Sequence, residues 1–421
     1  MRLALLGSDE NTAELVREIA ARTQHEIVWA CELESREAEI RAAIPGVKIV
    51  EHWELLLGGT VADAVLVARH ANEELRVEQL RKLLQAGVPT LVMHPICHSM
   101  LLAYELEMIR ADTKTIILPY LPNRLRTAVA TLATMLTKNE AGLTNEGGQE
   151  IENSPVGRVE QILFERVLAD RSKESVVRQF ATDVDLLQAV CGELNRISAH
   201  GGPIAETAYA NLAVQMSGAA EIPVRWTIAP VANQPGGQLT VVGASGRVVV
   251  HMPGDAFKWQ LEQIDENQPT KVEAGDWSPV AAMLSELERA ISGTPIIKAA
   301  TWSEACRDIE MAETIDRCLK RGRTVDLHHE DFTEENTFKG TMTSLGCGLL
   351  VGGVSLVFAV GIAQGICKAF GWRAGAELFG KWPYLLLGFL FLFLVLQGLL
   401  VLTKKPDDEG EMETINKQVD D

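Results

Sequence analysis

Two stretches of this chain, 344–367 and 383–403, contain no Asp, Glu, Lys or Arg. Each reaches the roughly 20 apolar residues that cross a ~30 Å hydrocarbon core. The sequence therefore predicts a hairpin of two transmembrane helices over 344–403. Trp372, Trp382 and Tyr384 fall in or beside its connection, where amphipathic rings favour the headgroup level. Lys404 and Lys405 close the second run. Two spans put both flanking segments on one side. The N-terminal apolar run, 3–6, stops short of Asp9 and Glu10 and is too brief for a signal-peptide core. The expectation is a multi-pass protein of the cytoplasmic membrane, with lipid as a partner and its soluble body in the cytoplasm. A polar linker is expected at 330–343 and an acidic cytoplasmic tail at 404–421.

Ahead of the hairpin lies more chain than one ordinary core organises, so two soluble domains are expected, 1–119 and 120–329. A formal net charge of −18 argues against nucleic acid, which requires a basic footprint. The seven cysteines (Cys31, Cys97, Cys191, Cys306, Cys318, Cys347 and Cys367) form no Cys-x-x-Cys pair. Neither a disulfide framework nor a metal site is expected, and free thiols suit a reducing compartment.

Short, continuous apolar runs at 3–6, 27–30, 48–50, 64–68, 90–93 and 115–118 alternate with helical patterns such as 11–22 and 73–86. Runs of that kind are parallel strands buried on both faces. Asn11 followed by Glu14 reads as a capping box. The fold class is α/β, with an N-terminal Rossmann-type doubly wound sheet. Such a sheet carries Gly-x-Gly-x-x-Gly after its first strand and an acid after its second when it binds a dinucleotide. Here Gly7 survives, while Asp9 and Thr12 occupy the other glycine positions and Glu32 stands where the ribose acid belongs. Gly7, Ser8, Asp9, Asn11 and Glu32 are the candidate nucleotide-binding residues. Asp9 sets a like charge where pyrophosphate would lie. Two unit charges about 4 Å apart at an effective dielectric near 20 repel by roughly 4 kcal/mol. Two readings stay open: a working dinucleotide site, and a fold that has lost it.

The second domain opens after Pro119-Tyr120-Leu121-Pro122-Asn123-Arg124 and a polar break at 139–154. Strands are expected near 159–166, 197–199, 224–228, 239–242 and 248–251, and helices at 176–190, 280–291 and 302–320. It is expected as an α/β domain with an open, mainly antiparallel sheet. The order of pieces resembles the glucose–fructose oxidoreductase, inositol dehydrogenase and MocA (Gfo/Idh/MocA) family across about residues 1–327. The pieces are Val61-Ala62-Asp63-Ala64-Val65, Ala86-Gly87-Val88-Pro89 running into Met93-His94-Pro95, Pro155-Val156-Gly157-Arg158-Val159, Asp185-Leu186-Leu187 with Gly192-Glu193, and Ala290-Ile291-Ser292-Gly293 with Arg321-Gly322-Arg323. The resemblance implies NAD or NADP as cofactor, a sugar or cyclitol-type polyol as substrate, and an oligomer interface on the second sheet.

The departures fall at the chemistry. The family's Glu-Lys-Pro reads Met93-His94-Pro95 here, so His94 replaces the lysine that bonds the substrate hydroxyl. The family's catalytic histidine, three residues before an aspartate, maps to Thr182 ahead of Asp185. His94 and Asp185 are the candidate catalytic residues, and His94 and Pro95 also border the cofactor position. His70 and His98 lie on nearby connections. Two functions are compatible with this pattern. One is a membrane-anchored protein with degenerate catalytic residues, little or no dehydrogenase turnover and a binding or scaffolding role. The other is an active NAD(P)-dependent oxidoreductase with His94 as acid/base.

Overall fold

A computed structural model describes residues 1–327 apart from 22–23, 59–60, 141–155, 202–208, 210, 219–220, 230–234, 255–258, 266–268 and 274–276, and beyond them six positions between 362 and 371. Residues 1–329 form one compact unit and 330–421 another. The expected hairpin lies outside the described residues except at those six positions. Among the described residues no helix is long and apolar enough to cross a membrane.

The first unit begins with β1 (Arg2–Leu6), α1 (Thr12–Ala20), β2 (Glu26–Cys31), α2 (Glu37–Ala43), β3 (Lys48–Ile49), β4 (Ala64–Val67), α3 (Glu73–Gln85), β5 (Thr90–Met93), α4 (Met100–Thr113) and β6 (Ile117–Tyr120). The six strands pair in the order β3-β2-β1-β4-β5-β6, all parallel. The strand order reverses between β1 and β4, which is where such sheets open a crevice for ligands. Alternate residues of β1 enter separate cores. Leu3 and Leu5 join Val16 and Ile19 of α1, while Ala4 and Leu6 join Leu80 and Leu83 of α3. β6 starts two residues later than the apolar run at 115–118 suggests. The Thr115 hydroxyl donates to the Leu84 carbonyl at 2.8 Å, which holds residue 115 in the approach to the strand.

The chain continues through α5 (Thr127–Glu140), β7 (Val159–Val167), α6 (Lys173–Cys191), β8 (Leu194–His200), β9 (Ala213–Gly218), β10 (Val224–Ile228), β11 (Gly236–Gly243), β12 (Gly246–Pro253), β13 (Gln260–Asp265) and β14 (Pro269–Glu273). It closes with α7 (Pro279–Ile291), α8 (Trp302–Arg321) and β15 (Val325–Asp326). The strands β7 to β15 form one sheet, ordered β14-β13-β12-β11-β7-β10-β9-β8-β15. Among the described residues only β7 and β10 run parallel. One face packs on α5, α6 and α8 through Phe164, Trp226, Phe180 and Ile315. The other face presents Glu165, Gln215 and Arg225 outward.

The last two helices return to the first sheet. Val280, Met283, Leu284 and Leu287 of α7 complete the core on the α1 side. The first half of α8 (Trp302, Ala305, Cys306, Ile309) packs into the core under α3 and α4. Its second half (Met311, Ala312, Ile315, Cys318) belongs to the core of the second sheet.

Candidate functional site

An open parallel sheet presents its ligand face at the carboxyl ends of its strands, and β1 delivers the chain there into the turn before α1. Gly7 ends β1 at φ +81°, and its amide donates to the Cys31 carbonyl at 2.9 Å. A Cβ at residue 7 would displace the Arg76 guanidinium, and the positive φ is what favours glycine here. The Ser8 hydroxyl donates to the Leu33 carbonyl at 2.8 Å. Asp9 then folds back on the start of α1. Its Oδ1 accepts from the amides of Asn11 and Thr12, each at 3.0 Å, and from the Thr12 hydroxyl at 2.8 Å. The expected Asn11–Glu14 capping box does not form. Asn11 sits in helical geometry with no side-chain cap bond, and Asp9 takes the amides of Asn11 and Thr12 in its place.

The second oxygen of Asp9 is also engaged. Arg69, in the connection after β4, approaches Oδ2 with Nε at 3.1 Å and its amide at 3.3 Å. The same guanidinium donates to the His94 carbonyl at 3.0 Å. One carboxylate thus ties the α1 terminus to the ends of β4 and β5. Burial, the largest influence on Arg69, lowers its pKa, and the Asp9 charge opposes that shift.

Glu32 follows β2 as expected but is held within the protein. Its Oε1 accepts from Gln79 at 2.6 Å, and its Oε2 lies 3.4 Å from Arg76. Arg76 reaches in from α3 with its side chain 1% exposed, bonding Gln79 at 2.9 Å. Ser8, Asp9, Glu32, Arg69 and Arg76 line a cleft of about 280 Å³ together with Glu10, Glu34, Arg36, His70, Glu174 and Arg178. The cleft is internally paired: Asp9 with Arg69, Glu32 with Arg76, His70 with Glu34 at 3.5 Å, and Glu174 with Arg178.

A dinucleotide would need free leading amides for its pyrophosphate and a free acid for its ribose. Asp9 already holds the amides of Asn11 and Thr12, and Arg76 with Gln79 engages the acid. The residues present do not fit a dinucleotide in this arrangement.

His94 and Asp185, the candidate catalytic pair, do enter one cluster, and neither faces the cleft. His94 follows β5, joined by a cis peptide bond to the buried Pro95. Its imidazole is fully buried, with Nε2 3.8 Å from Asp308 Oδ2. Burial, then the Arg69 charge, drives the His94 pKa down to about 3, against a smaller opposing contribution from the Ala181 backbone. Asp308, on α8, accepts from Gln188 at 2.8 Å through Oδ1. Asp185, on α6, faces Arg124 at 3.2 Å, and Arg124 also binds Glu304 at 3.0 Å. Burial pushes Asp185 up to about 7 despite Arg124. Burial and the neighbouring Asp185 hold Asp308 well above the carboxylate range. The two buried acids therefore retain protons into a range where surface carboxylates are ionised.

Thr182 donates its hydroxyl to the Arg178 carbonyl at 3.3 Å, as mid-helix threonines do. His98 pairs with Glu73, and the His70 ring engages Asn72 and Glu34, so the expected imidazoles go to separate partners. Among the described residues no three potential ligands converge on a metal position. Asp308 and Arg69 were not among the candidates. Asp308 had a sequence signal, an acid at position 308 on the stripe of Ala305, Ala312 and Ile315, all buried. Arg69 had none beyond its place one residue past a strand.

No protein-family model and no curated protein matches the chain. Solved structures do. A putative myo-inositol dehydrogenase from Sinorhizobium meliloti is 13% identical, with 78% of this chain and 100% of that one covered at a TM-score of 0.59. An oxidoreductase from Agrobacterium radiobacter, solved with NAD+, L-tartaric acid and magnesium, is 12% identical over 77% and 98% at 0.62. A UDP-N-acetylglucosamine 3-dehydrogenase from Acidithiobacillus ferrooxidans is 16% identical over 76% and 98% at 0.60. At such identities the likeness is one of architecture, and it agrees with the pieces quoted from the sequence: the fold of this chain is that of the Gfo/Idh/MocA-type oxidoreductases.

Proposed function

We propose that this protein uses the oxidoreductase fold as a membrane-anchored binding or scaffolding body, with little or no dehydrogenase turnover. The observation that carries the reading is the burial of His94. A base that takes the proton of a substrate hydroxyl works best with a pKa near the operating pH and within hydrogen-bond reach of that proton. His94 has no exposed side-chain surface, and its pKa is depressed to about 3. Thr182, at the other catalytic position, has no basic group near neutral pH. The membrane anchor rests on the uncharged runs 344–367 and 383–403.

The second reading, an active NAD(P)-dependent oxidoreductase on a sugar or cyclitol-type polyol, is favoured by the neighbours' names as dehydrogenases. It requires Arg69 to release the His94 carbonyl and Asp9 to release α1. Titration of the full-length protein with NADH and NADPH, read by nicotinamide fluorescence, separates the two. The expected result is no saturable binding, and no turnover with sugars and inositols. Micromolar cofactor binding, with turnover that disappears in His94→Ala, would establish the second reading.

A further inference from the structure

The end of α8 and the residue after its closing glycine carry Arg317, Lys320, Arg321 and Arg323, four cations in seven positions of a chain whose formal net charge is −18. Lys320, Arg321 and Arg323 are exposed. None of the four has a carboxylate within ion-pair distance among the described residues, whereas Arg2, Arg17, Arg41 and Arg196 on the surface each hold one. The acids at neighbouring positions are engaged elsewhere. Asp316 binds Lys173 and accepts from the Tyr209 hydroxyl at 2.7 Å, Glu313 accepts from the Met100 amide at 2.8 Å, and Asp326 pairs with Arg196 at 2.7 Å. Cations near a helix C-terminus answer the partial negative charge of its last carbonyls, which accounts for Lys320 and Arg321. It does not account for Arg323, because Gly322 ends the helix at φ +60° and its amide already takes the Cys318 carbonyl at 2.8 Å.

We propose that this basic end of α8 is a docking surface for an anionic phospholipid leaflet. The inference rests on the reading that 344–403 anchors the chain, and it adds which face of the body meets the lipid. The first unit ends at residue 329 and the first uncharged run begins at 344. The residues between them reach at most about 50 Å, so an anchor alone leaves the body free to stand off from the bilayer. A tether of that length also keeps the cluster at high effective concentration over the headgroups, so a weak patch suffices. The cytoplasmic leaflet is the negatively charged one, and it attracts clustered Lys and Arg within a Debye length of its surface. The same leaflet repels the acidic remainder of the body, which leaves the α8 end as the face turned towards it. Glu330, Asp331, Glu334 and Glu335 follow the cluster, and neutralisation within the chain is the alternative that the test has to separate.

The test uses the full-length protein in vesicles of phosphatidylcholine, alone or with about 30% phosphatidylserine as the anionic lipid. Acetylation of Lys320 is followed by mass spectrometry, with the exposed Lys114 after α4 as reference. Lys320 should react roughly threefold or more slowly in the anionic vesicles, and about 0.5 M sodium chloride should abolish the difference. Lys114 should react equally in both. Arg321→Gln combined with Arg323→Gln should remove most of the protection of Lys320. Equal Lys320 rates in the two vesicles, or protection that survives both the salt and the double variant, would overturn the inference. Equal protection in both vesicles would overturn it too, because protein rather than lipid would then cover the cluster. Release of the protein from both vesicles by alkaline carbonate would instead overturn the anchor reading, and Lys320 labelling with anionic vesicles added would still decide the docking.

Discussion

At the scale of single residues, burial decides the chemistry of the cluster under the first sheet, and it acts in opposite senses on its members. His94 titrates near 3 in the folded protein against 6.5 in its ordinary state. Folding therefore expels its proton, and the stability this group allows is full above pH 6.5 and lost as the pH falls towards 3. Asp185 is raised from 3.8 to about 7. Folding takes up a proton there, so its contribution is full below pH 3.8 and lost as the pH rises through 7. Between about pH 4 and 6.5 the two slopes oppose. Asp185→Asn removes the second slope and leaves the first, so its stability should rise more steeply with pH than that of the unaltered protein. Urea midpoints measured at half-unit steps from pH 4 to 7.5 check this, and parallel profiles would refute it. The sequence made part of the site legible. Asp9 stands where a glycine is expected, and that mismatch put a weakened phosphate turn beside a working one as an open reading. The role of Asp308 was hidden because its partners, His94 after β5 and Asp185 and Gln188 on α6, lie on two other segments that only the tertiary fold assembles.

At the scale of elements, the strands buried on both faces were legible, as were β7, β8 and β10 to β12 of the half-wet sheet, whereas β9, β13 and β14 were not. β1, β4 and β5 are continuous apolar runs. By contrast, β9 alternates Val214 and Met216 with the exposed Gln215, and β13 and β14 carry Glu262, Gln263 and Lys271, so the apolar density never rises above that of a loop. Helix ends depend on side chains that patterning does not fix. The Asn11–Glu14 spacing suggested a capping box that is absent, while Thr301 and Glu304 form one at the start of α8. The Thr301 hydroxyl accepts from the Glu304 amide at 3.2 Å, and Glu304 Oε2 accepts from the Thr301 amide at 2.7 Å. Glu304 also binds Arg124, so this cap is joined to the buried cluster. Thr301→Ala should cost about 1 kcal/mol, typical of a lost N-cap, and Glu304→Ala should cost more because Arg124 loses a partner too. Equal costs in denaturant unfolding would show that the link to Arg124 contributes nothing.

At the scale of the whole molecule, residues 1–329 hold their own cores and should fold without the C-terminal unit. The stretch with Glu330, Asp331, Glu334 and Glu335 has the composition of an interdomain linker. Cutting the chain after Asp331 should release a folded, acidic, detergent-free protein with the urea midpoint of the full chain. Aggregation of that fragment would mean that the body depends on residues 332–421 for its solubility. The architecture was legible because the alternation of strands and helices admits few topologies. The double membership of α8 was not legible, since one amphipathic stripe looks the same whether it faces one core or two.

That double membership has a mechanical consequence. A load pulled from the C-terminal side of residue 327 reaches the body through β15, a two-residue strand pairing only Val325 with Ile197 and Asp326 with Arg196, and then through α8. The β15 pairing is a weak fuse, and behind it stands a rivet. Once α8 slides, Trp302 and Ile309 leave one core as Met311 and Ile315 leave the other. Under tension the two domains should therefore rupture in a single step, with no stage at which either stands folded alone.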